Sequence, residues 1–514
     1  MPKFQFTSSV QSFFAAATLF IGAAIGFPHP AHADDAALIK KGEYLSRAGD
    51  CVACHTSPDG KPFAGGLYLP TPVGDISVPN ITPDKATGIG DWTDDQFFQA
   101  MHDGIGHKGE YLYPAFPFPW YTNVKRDDAL AIKAYLFSLP PIDAPRKPLK
   151  LSFPFNIREA LLTWRTLFFK PAKLDQEETG DPKILRGKYL VEGLGHCGEC
   201  HNKHDVLGAS QWSGRLEGGE IEGWYAPNIT SDGRQGIGSW SEDELATFLK
   251  TGTAPGKGVV LGPMQETISE SLSYLTDDDL HAMAAYLKST AAKKGDAETA
   301  AVTSASDANA YLTYCSSCHR PDGKGVEGAI PALAGNGAVI AGGPENAIRV
   351  VLGGLPAAHG LAPMPAVGAS MSDQDIADAV NYIRNAWGNS APGAVGAGSI
   401  GALREKTQTL LAGNLTGGCP APDDASKAVD ASVGETLKTM KSSDLLHAID
   451  DIVAKAKLAA PKSSNDDIIN MLTAAYCRSA LDASTLSPAD RSIQIGNFSV
   501  LIYSQLNPSI HASK

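Results

Sequence analysis

The chain has 514 residues, 43% of them apolar, with 43 basic side chains against 56 acidic ones. That length exceeds what one hydrophobic core organises and points to three or four domains. A formal net charge of −13 argues against nucleic acid as a partner, while it is compatible with docking onto a basic patch.

Residues 1–33 differ from the rest. They hold one basic side chain, Lys3, then the apolar run FFAAATLFIGAAIGF, then small residues ending in AHA at Ala31 to Ala33. This order is that of a secretory leader cleaved after Ala33. A retained membrane anchor is the competing reading, but the run is short for a bilayer span. The expected mature chain is exported, and either soluble or peripheral on a membrane.

A first unit opens with the helical pattern KKGEYLSRAGD and runs into CVACH at 51–55. C-x-x-C-H is the attachment signature of c-type haem. Two thiols at this spacing can bond both vinyl groups of one porphyrin, and the adjacent imidazole reaches the iron. A redox disulfide or half of a zinc site is the competing reading of a lone C-x-x-C. The motif recurs as CGECH at 197–201 and CSSCH at 315–319. Three copies, each with its histidine and without four-ligand groupings at short range, predict three covalently bound haems c. They would be held by Cys51 and Cys54, Cys197 and Cys200, and Cys315 and Cys318, with His55, His201 and His319 as axial ligands.

The first unit continues through PNITPDKATGIGDWTDDQF (79–97) and QAMHDGIGHKGEYLYPAFPF to a closing helix, DALAIKAYL, at 128–136. The amphipathic segment FPFNIREALLTWRTLFFKP follows at 153–171. Packing between neighbouring domains, a membrane interface and a partner-docking patch are the readings open for it. The second unit repeats the first: LRGKYLVEGLGH, CGECH, PNITSDGRQGIGSWSEDEL (227–245) and DLHAMAAYL (279–287). After an Ala/Ser/Thr-rich linker near 291–306, expected to be exposed, a third unit runs from ANAYLTY to DIADAVNYI (375–383), with a shorter Gly-rich loop. Such internal repetition marks one supersecondary unit used three times. Apolar positions of the closing helices follow helical periodicity, and Asp128, Asp279 and Asp375 suit their positive N-terminal ends. Gly42 and Gly187 are expected to let the opening helix cross the closing one closely, with Tyr135 and Tyr286 packed there. Trp92 and Trp240 are expected to pack around the prosthetic group.

An electron-transfer haem takes a second axial ligand from the protein, and a methionine thioether raises its potential. Met264 lies 63 residues after His201, and Met364 lies 45 after His319, each beside a proline just ahead of the closing helix. These are the expected sixth ligands. In the first unit the equivalent position, 61 residues after His55, is Phe116, which cannot ligate iron. Substitution by a neighbour (Met101 or His107, with His102 beside them), a five-coordinate iron, and a shifted strap all stay open. The first haem is expected to differ chemically from the other two.

Residues 391–400, APGAVGAGSI, read as a flexible hinge. Residues 401–514 carry no haem motif and read as several helices, without an acid/base pair, nucleophile or metal grouping. Cys419 and Cys477 form a leftover even pair, expected as a disulfide in an oxidising compartment, with two free buried thiols as the alternative. Docking a partner or a membrane is the role expected of this tail.

The three C-x-x-C-H motifs, the doubled PNIT…GIG.W segments and the LYPA.P strap resemble the triple-haem cytochrome c subunits of membrane-associated bacterial dehydrogenases. These serve quinoprotein alcohol dehydrogenases and flavin-dependent gluconate or sorbitol dehydrogenases. The resemblance covers about residues 36–390. With the leader (1–33), the hinge at 391–400 and the small helical domain at 401–514 read above, it implies a mainly α chain, with cytochrome c-like domains of class I at 34–145, 181–292 and 293–390 and a linker at 146–180. It also implies electron transfer from a periplasmic dehydrogenase catalytic subunit to ubiquinone or a terminal oxidase, peripheral on the inner membrane. Met264 and Met364 match that family's axial ligands. Phe116 departs from its usual LYPAMP strap, whereas the related cytochrome subunits serving molybdenum hydroxylases often read YPAFP. The alternatives are therefore a molybdenum-type partner, a haem enzyme using an open site at haem 1, and a free-standing shuttle.

Overall fold

The computed structural model describes residues 33–58, 60–174, 179–211, 215–291, 304–405, 419, 422–439, 445–481 and 488–508. The leader expected at 1–33, Ala33 apart, and most of the linker near 291–306 lie outside the described residues.

The helices are α1 (Ala33–Ala48), α2 (Asp94–Asp103), α3 (Arg126–Ser138), α4 (Leu161–Phe168), α5 (Pro182–Tyr189), α6 (Glu242–Thr251), α7 (Met264–Glu270) and α8 (Asp277–Ser289). After them come α9 (Ala305–Tyr314), α10 (Glu345–Gly353), α11 (Asp373–Asn385), α12 (Asp424–Thr439), α13 (Leu445–Ala459), α14 (Asn465–Leu481) and α15 (Pro488–Leu506). Strands are few and short: Tyr68–Thr71, Gly74–Ser77 and Lys150–Leu151 form one antiparallel sheet, and two hairpins lie at Gly219–Ala226 and Thr253–Val259. The fold is mainly α, as expected. Among the described residues no helix is long and apolar enough to cross a membrane.

One pairing recurs three times: α1 crosses α3, α5 crosses α8, and α9 crosses α11. The first two crossings are close because of glycine. A Cβ on Gly42 would lie 1.8 Å from the Ala131 carbonyl oxygen and 2.9 Å from Tyr135 Cβ. On Gly187 it would lie 1.9 Å from Ala282 O and 2.7 Å from Tyr286 Cβ. Both crossings match the sequence expectation, and each tyrosine sits at the contact. The helices start where their sequences provide reciprocal caps, Thr93 with Gln96 for α2, Ser241 with Glu244 for α6 and Ser372 with Asp375 for α11.

The first two units share one apolar core, running from Leu45 and Ile132 through Leu190 and Leu194 to Leu280 and Met283. They are joined reciprocally. Tyr44 of α1 donates to Asp279 Oδ2 of α8 at 2.6 Å, and Tyr189 of α5 donates to Asp128 Oδ2 of α3 at 2.5 Å. Each aspartate also takes a base from its own unit's opening helix, Lys41 for Asp128 and Arg186 for Asp279. The duplicated sequence thus makes an isologous, dimer-like contact inside one chain. The third unit has its own core around Ile348, Ile376 and Val380. It meets the second where Asn346 accepts from Tyr225 N (2.9 Å) and donates to Tyr225 O (2.8 Å).

One expectation is corrected. Residues 391–400 are not a free hinge: Ala391, Val395 and Ile400 are buried. Asn381 of α11 holds both backbone groups of Val395, and Arg384 takes the Pro392 carbonyl. Helices α12–α15 form a separate core that reaches onto Ala329 and Ala357 of the third unit, so the tail packs against the chain's own third unit. Cys419 and Cys477 are joined as a disulfide.

Candidate functional site

Each C-x-x-C-H motif follows the opening helix of a unit and forms one helical turn, Cys51–Cys54, Gly198–His201 and Ser316–His319. The loop that follows each turn comes back to the motif histidine. The three histidines are then treated alike. Their Nδ1–H groups donate to backbone carbonyls of prolines, His55 to Pro79 (2.8 Å), His201 to Pro227 (2.7 Å) and His319 to Pro331 (3.1 Å). A carbonyl can only accept, so Nδ1 carries the proton and Nε2 keeps its lone pair, the arrangement that orients a metal-ligating imidazole. Burial keeps the rings neutral: it pushes His55 down to about 4 and lowers His201 and His319 as well.

The doubled PNIT segments exist to present that carbonyl. Asn80 Oδ1 accepts from the N–H and hydroxyl of Thr82, and Asn228 Oδ1 does the same for Thr230. These Asx turns fix the peptide just before them, where Pro79 and Pro227 offer their oxygens. The glycines of GIG close the loop, since a Cβ on Gly88 or Gly236 would strike Thr82 O or Thr230 O at 2.2 and 2.4 Å. The proline carbonyls are functional groups that sequence reading missed, although the repeated segment around two of them was its signal.

The six motif cysteines form no disulfide. Burial pushes Cys51 and Cys315 up to about 11, and Cys54, Cys197 and Cys200 up to about 12. A redox-active dithiol needs a thiol lowered toward neutrality, so that competing reading has no support here. Among the described residues no group of three or more His, Cys, Asp or Glu could hold a metal ion.

The straps place the methionines alike. Met264 begins α7 and packs against the shared core; Met364 packs against the third unit's core and exchanges two backbone hydrogen bonds of 2.9 Å with Leu355. Residues 93–116 align with 241–264 without a gap, which puts Phe116 in Met264's place. Phe116 packs on the core with its ring edge toward Tyr121, centroids 5.4 Å apart. Met101 is 6% exposed, in the position that buried Leu249 fills in the second unit. It packs into the core shared by the first two units. His107 stacks on Trp92 at 5.6 Å, and its buried Nδ1 has no hydrogen-bond partner. His102 is committed to Asp103 and Ala172 O.

The cytochrome c family profile matches residues 39–140 and 308–387. The chain is 40% identical over 410 residues to the gluconate 2-dehydrogenase cytochrome c subunit of Pantoea cypripedii, covering 73% of this chain and 91% of that protein. It is 40% identical over 401 residues to the cytochrome c subunit of the quinone alcohol dehydrogenase of Gluconacetobacter polyoxogenes, covering 72% and 85%. The chain belongs to the cytochrome c family of dehydrogenase subunits. One component of the nicotinate dehydrogenase of Pseudomonas putida is 37% identical over 372 residues, 70% of this chain but 31% of that longer protein.

Membership brings covalently bound haem c, a one-electron redox centre, and with it electron transfer as a dehydrogenase subunit. The residues fit the group. Each motif offers two unpaired thiols and a neutral imidazole whose Nδ1 is already engaged. The first two motifs also stand close together. Tyr121 donates to Gly49 O (2.9 Å) just before the first and stacks edge-on to His196 just before the second. Trp120 donates to Glu199 inside the second at 2.8 Å.

Proposed function

We propose that this chain carries three haems c, on Cys51/Cys54, Cys197/Cys200 and Cys315/Cys318, with His55, His201 and His319 as proximal ligands. Met264 and Met364 are the sixth ligands of the second and third. The first takes no thioether from its strap, because Phe116 stands there, and His107 is the one candidate with an unengaged ring nitrogen. The units at 34–145, 181–292 and 293–390 are three cytochrome c domains acting as a relay. Electrons from a periplasmic dehydrogenase catalytic subunit oxidising an alcohol, sugar or aldehyde are passed to ubiquinone or a terminal oxidase.

The observation that carries this reading is the threefold hydrogen bond from a motif histidine to a proline carbonyl, which leaves the same ring nitrogen available in every unit. The test is the intact mass and haem stoichiometry of the purified protein, followed by reduction with its co-purifying dehydrogenase. Three haems per chain and full reduction are expected; one or two haems would overturn the assignment. A second reading is favoured by the likeness to the nicotinate dehydrogenase component together with Phe116: the partner is a molybdenum hydroxylase. The metal content of the co-purifying catalytic subunit separates the two.

Attachment is proposed at a membrane surface through residues 153–174. The outward side chains Phe153, Ile157, Leu162 and Leu167 are between 43% and 78% exposed there.

A further inference from the structure

The described C-terminal helices α12–α15 contain no haem motif, yet α14 and α15 converge on one short loop, Leu355–Met364. The loop's base is closed by the two hydrogen bonds between Leu355 and Met364. Its tip is costly to hold, because His359, which is not glycine, stands at φ +55° beside Gly360 at +74°. A loop of that shape needs support from outside.

The tail supplies it. Asn470 of α14 accepts from Ala357 N at 3.0 Å and donates to Ala357 O at 2.8 Å. Asp466 accepts from Gly360 N at 2.8 Å, and the Tyr503 hydroxyl of α15 donates to Gly360 O at 2.9 Å. Ala357 and Ala362 pack into the tail's core with Ile469, Leu472, Phe498 and Ile502. Immediately after Met364, Pro365 meets α15 where there is no side chain: a Cβ on Gly496 would lie 2.6 Å from Pro365 Cβ.

The other two straps are also braced from outside their own cores. Arg158 and Arg165 of the 153–171 segment donate to Tyr111 O and Gly104 O around the first, and Phe169 meets Phe118 edge-on. Arg47 of the first unit donates to Glu270 O at the end of α7 for the second. For the third strap the brace comes from the tail.

We propose that the C-terminal helical bundle is a clamp that fixes the Met364 strap over the third motif, with Asn470 and Tyr503 as positioning residues. This rests on reading Met364 as an axial ligand. A clamped strap keeps the sulfur in place and competing ligands out; a loosened one lets the sulfur exchange.

The test uses the full-length, haem-loaded protein and the variants Asn470→Ala, Tyr503→Phe and Met364→Ala. Exogenous imidazole binding and the sulfur–iron charge-transfer absorption are measured for each, with far-ultraviolet circular dichroism to confirm folding. Loss of the clamp hydrogen bonds to Ala357 or to Gly360 is expected to tighten imidazole binding at one haem about tenfold and to reduce the absorption. If Asn470→Ala does not fold, Tyr503→Phe, which keeps the packed ring, decides. Folded clamp variants with wild-type imidazole affinity and absorption, alongside a Met364→Ala that loses about half of the absorption, overturn the clamp alone. A Met364→Ala that keeps the full wild-type absorption overturns the ligand assignment and the clamp with it.

Discussion

Phe116 and Met264 occupy the same place in two copies of one design, so exchanging their chemistry isolates what the sulfur does. A thioether ligand raises a haem's potential and adds a sulfur–iron charge-transfer absorption. With Met264 and Met364 as the two proposed thioether ligands, Met264→Ala is expected to remove about half of that absorption and to lower one potential. Phe116→Met is expected to add about half again and to raise the potential of the first haem. Optical redox titration of both variants checks this; an unchanged spectrum after Met264→Ala removes the residue from the ligand set. The motif histidines stood out in the sequence because the C-x-x-C-H pattern fixes residue type and spacing, and Met264 and Met364 stood out as candidates because each follows its motif beside a proline, just ahead of the closing helix. Met101 could not be told from a core methionine in the sequence, because both follow the same apolar spacing. The proline carbonyls were hidden for another reason: any residue has a carbonyl, and only folding aims it.

At the scale of elements, the seam between the first two units rests on two crossed Tyr–Asp hydrogen bonds. Their residues were visible as repeats but not as partners, since a repeat pairs equally well within a unit or between units. Asp279 illustrates the energetics. Burial would raise its carboxyl, but the Arg186 fork and the Tyr44 hydroxyl outweigh that and hold it below the usual value. A depressed carboxylate adds stability above its unfolded-state pKa, near 4, and that stability is lost as pH falls through the lower folded value. Asp279→Asn is therefore expected to cost about 1 kcal/mol at pH 7, the low end for a charged hydrogen bond in a partly exposed site. The difference from wild type should shrink below about pH 4. Denaturant titrations at several pH values test it; a pH-independent difference would point to packing instead. The hinge at 391–400 failed as a sequence reading on similar grounds. Its Gly and Ala residues look flexible in isolation, but Asn381 grips Val395 as Asn346 grips Tyr225 and Asn470 grips Ala357. In each case one side-chain amide stands in for a strand partner, a contact that no local pattern announces.

The whole molecule is acidic, yet residues 146–173 hold seven cations, Arg146, Lys147, Lys150, Arg158, Arg165, Lys170 and Lys173, against Glu159 alone. Their charge is little neutralised. Arg146, Lys147, Arg158 and Arg165 donate to the carbonyls of Ser77, Gly66, Tyr111 and Gly104, and Lys150 alone of the seven forms an ion pair, a loose exposed one of 3.4 Å with Asp75. Helix α4 turns Trp164, Arg165 and Phe168 inward and Leu162 and Leu167 outward, the latter 53% and 66% exposed. Trp164 also donates to Leu207 O, which brings Leu207 and the 93%-exposed Val206 to the same side. Exposed apolar side chains within a cation-rich segment suit an anionic lipid surface, which would attract this face and repel the acidic remainder. The full-length protein is expected to sediment with phosphatidylglycerol-containing vesicles, less so as salt rises, and hardly with neutral ones. Leu162→Asp combined with Leu167→Asp should weaken that binding by roughly tenfold or more, since two leucines lose their contact with the acyl region. If the double variant instead binds vesicles like wild type but no longer accepts electrons from the dehydrogenase, the face belongs to the catalytic subunit. Lipid contact would then have to be sought elsewhere on the chain.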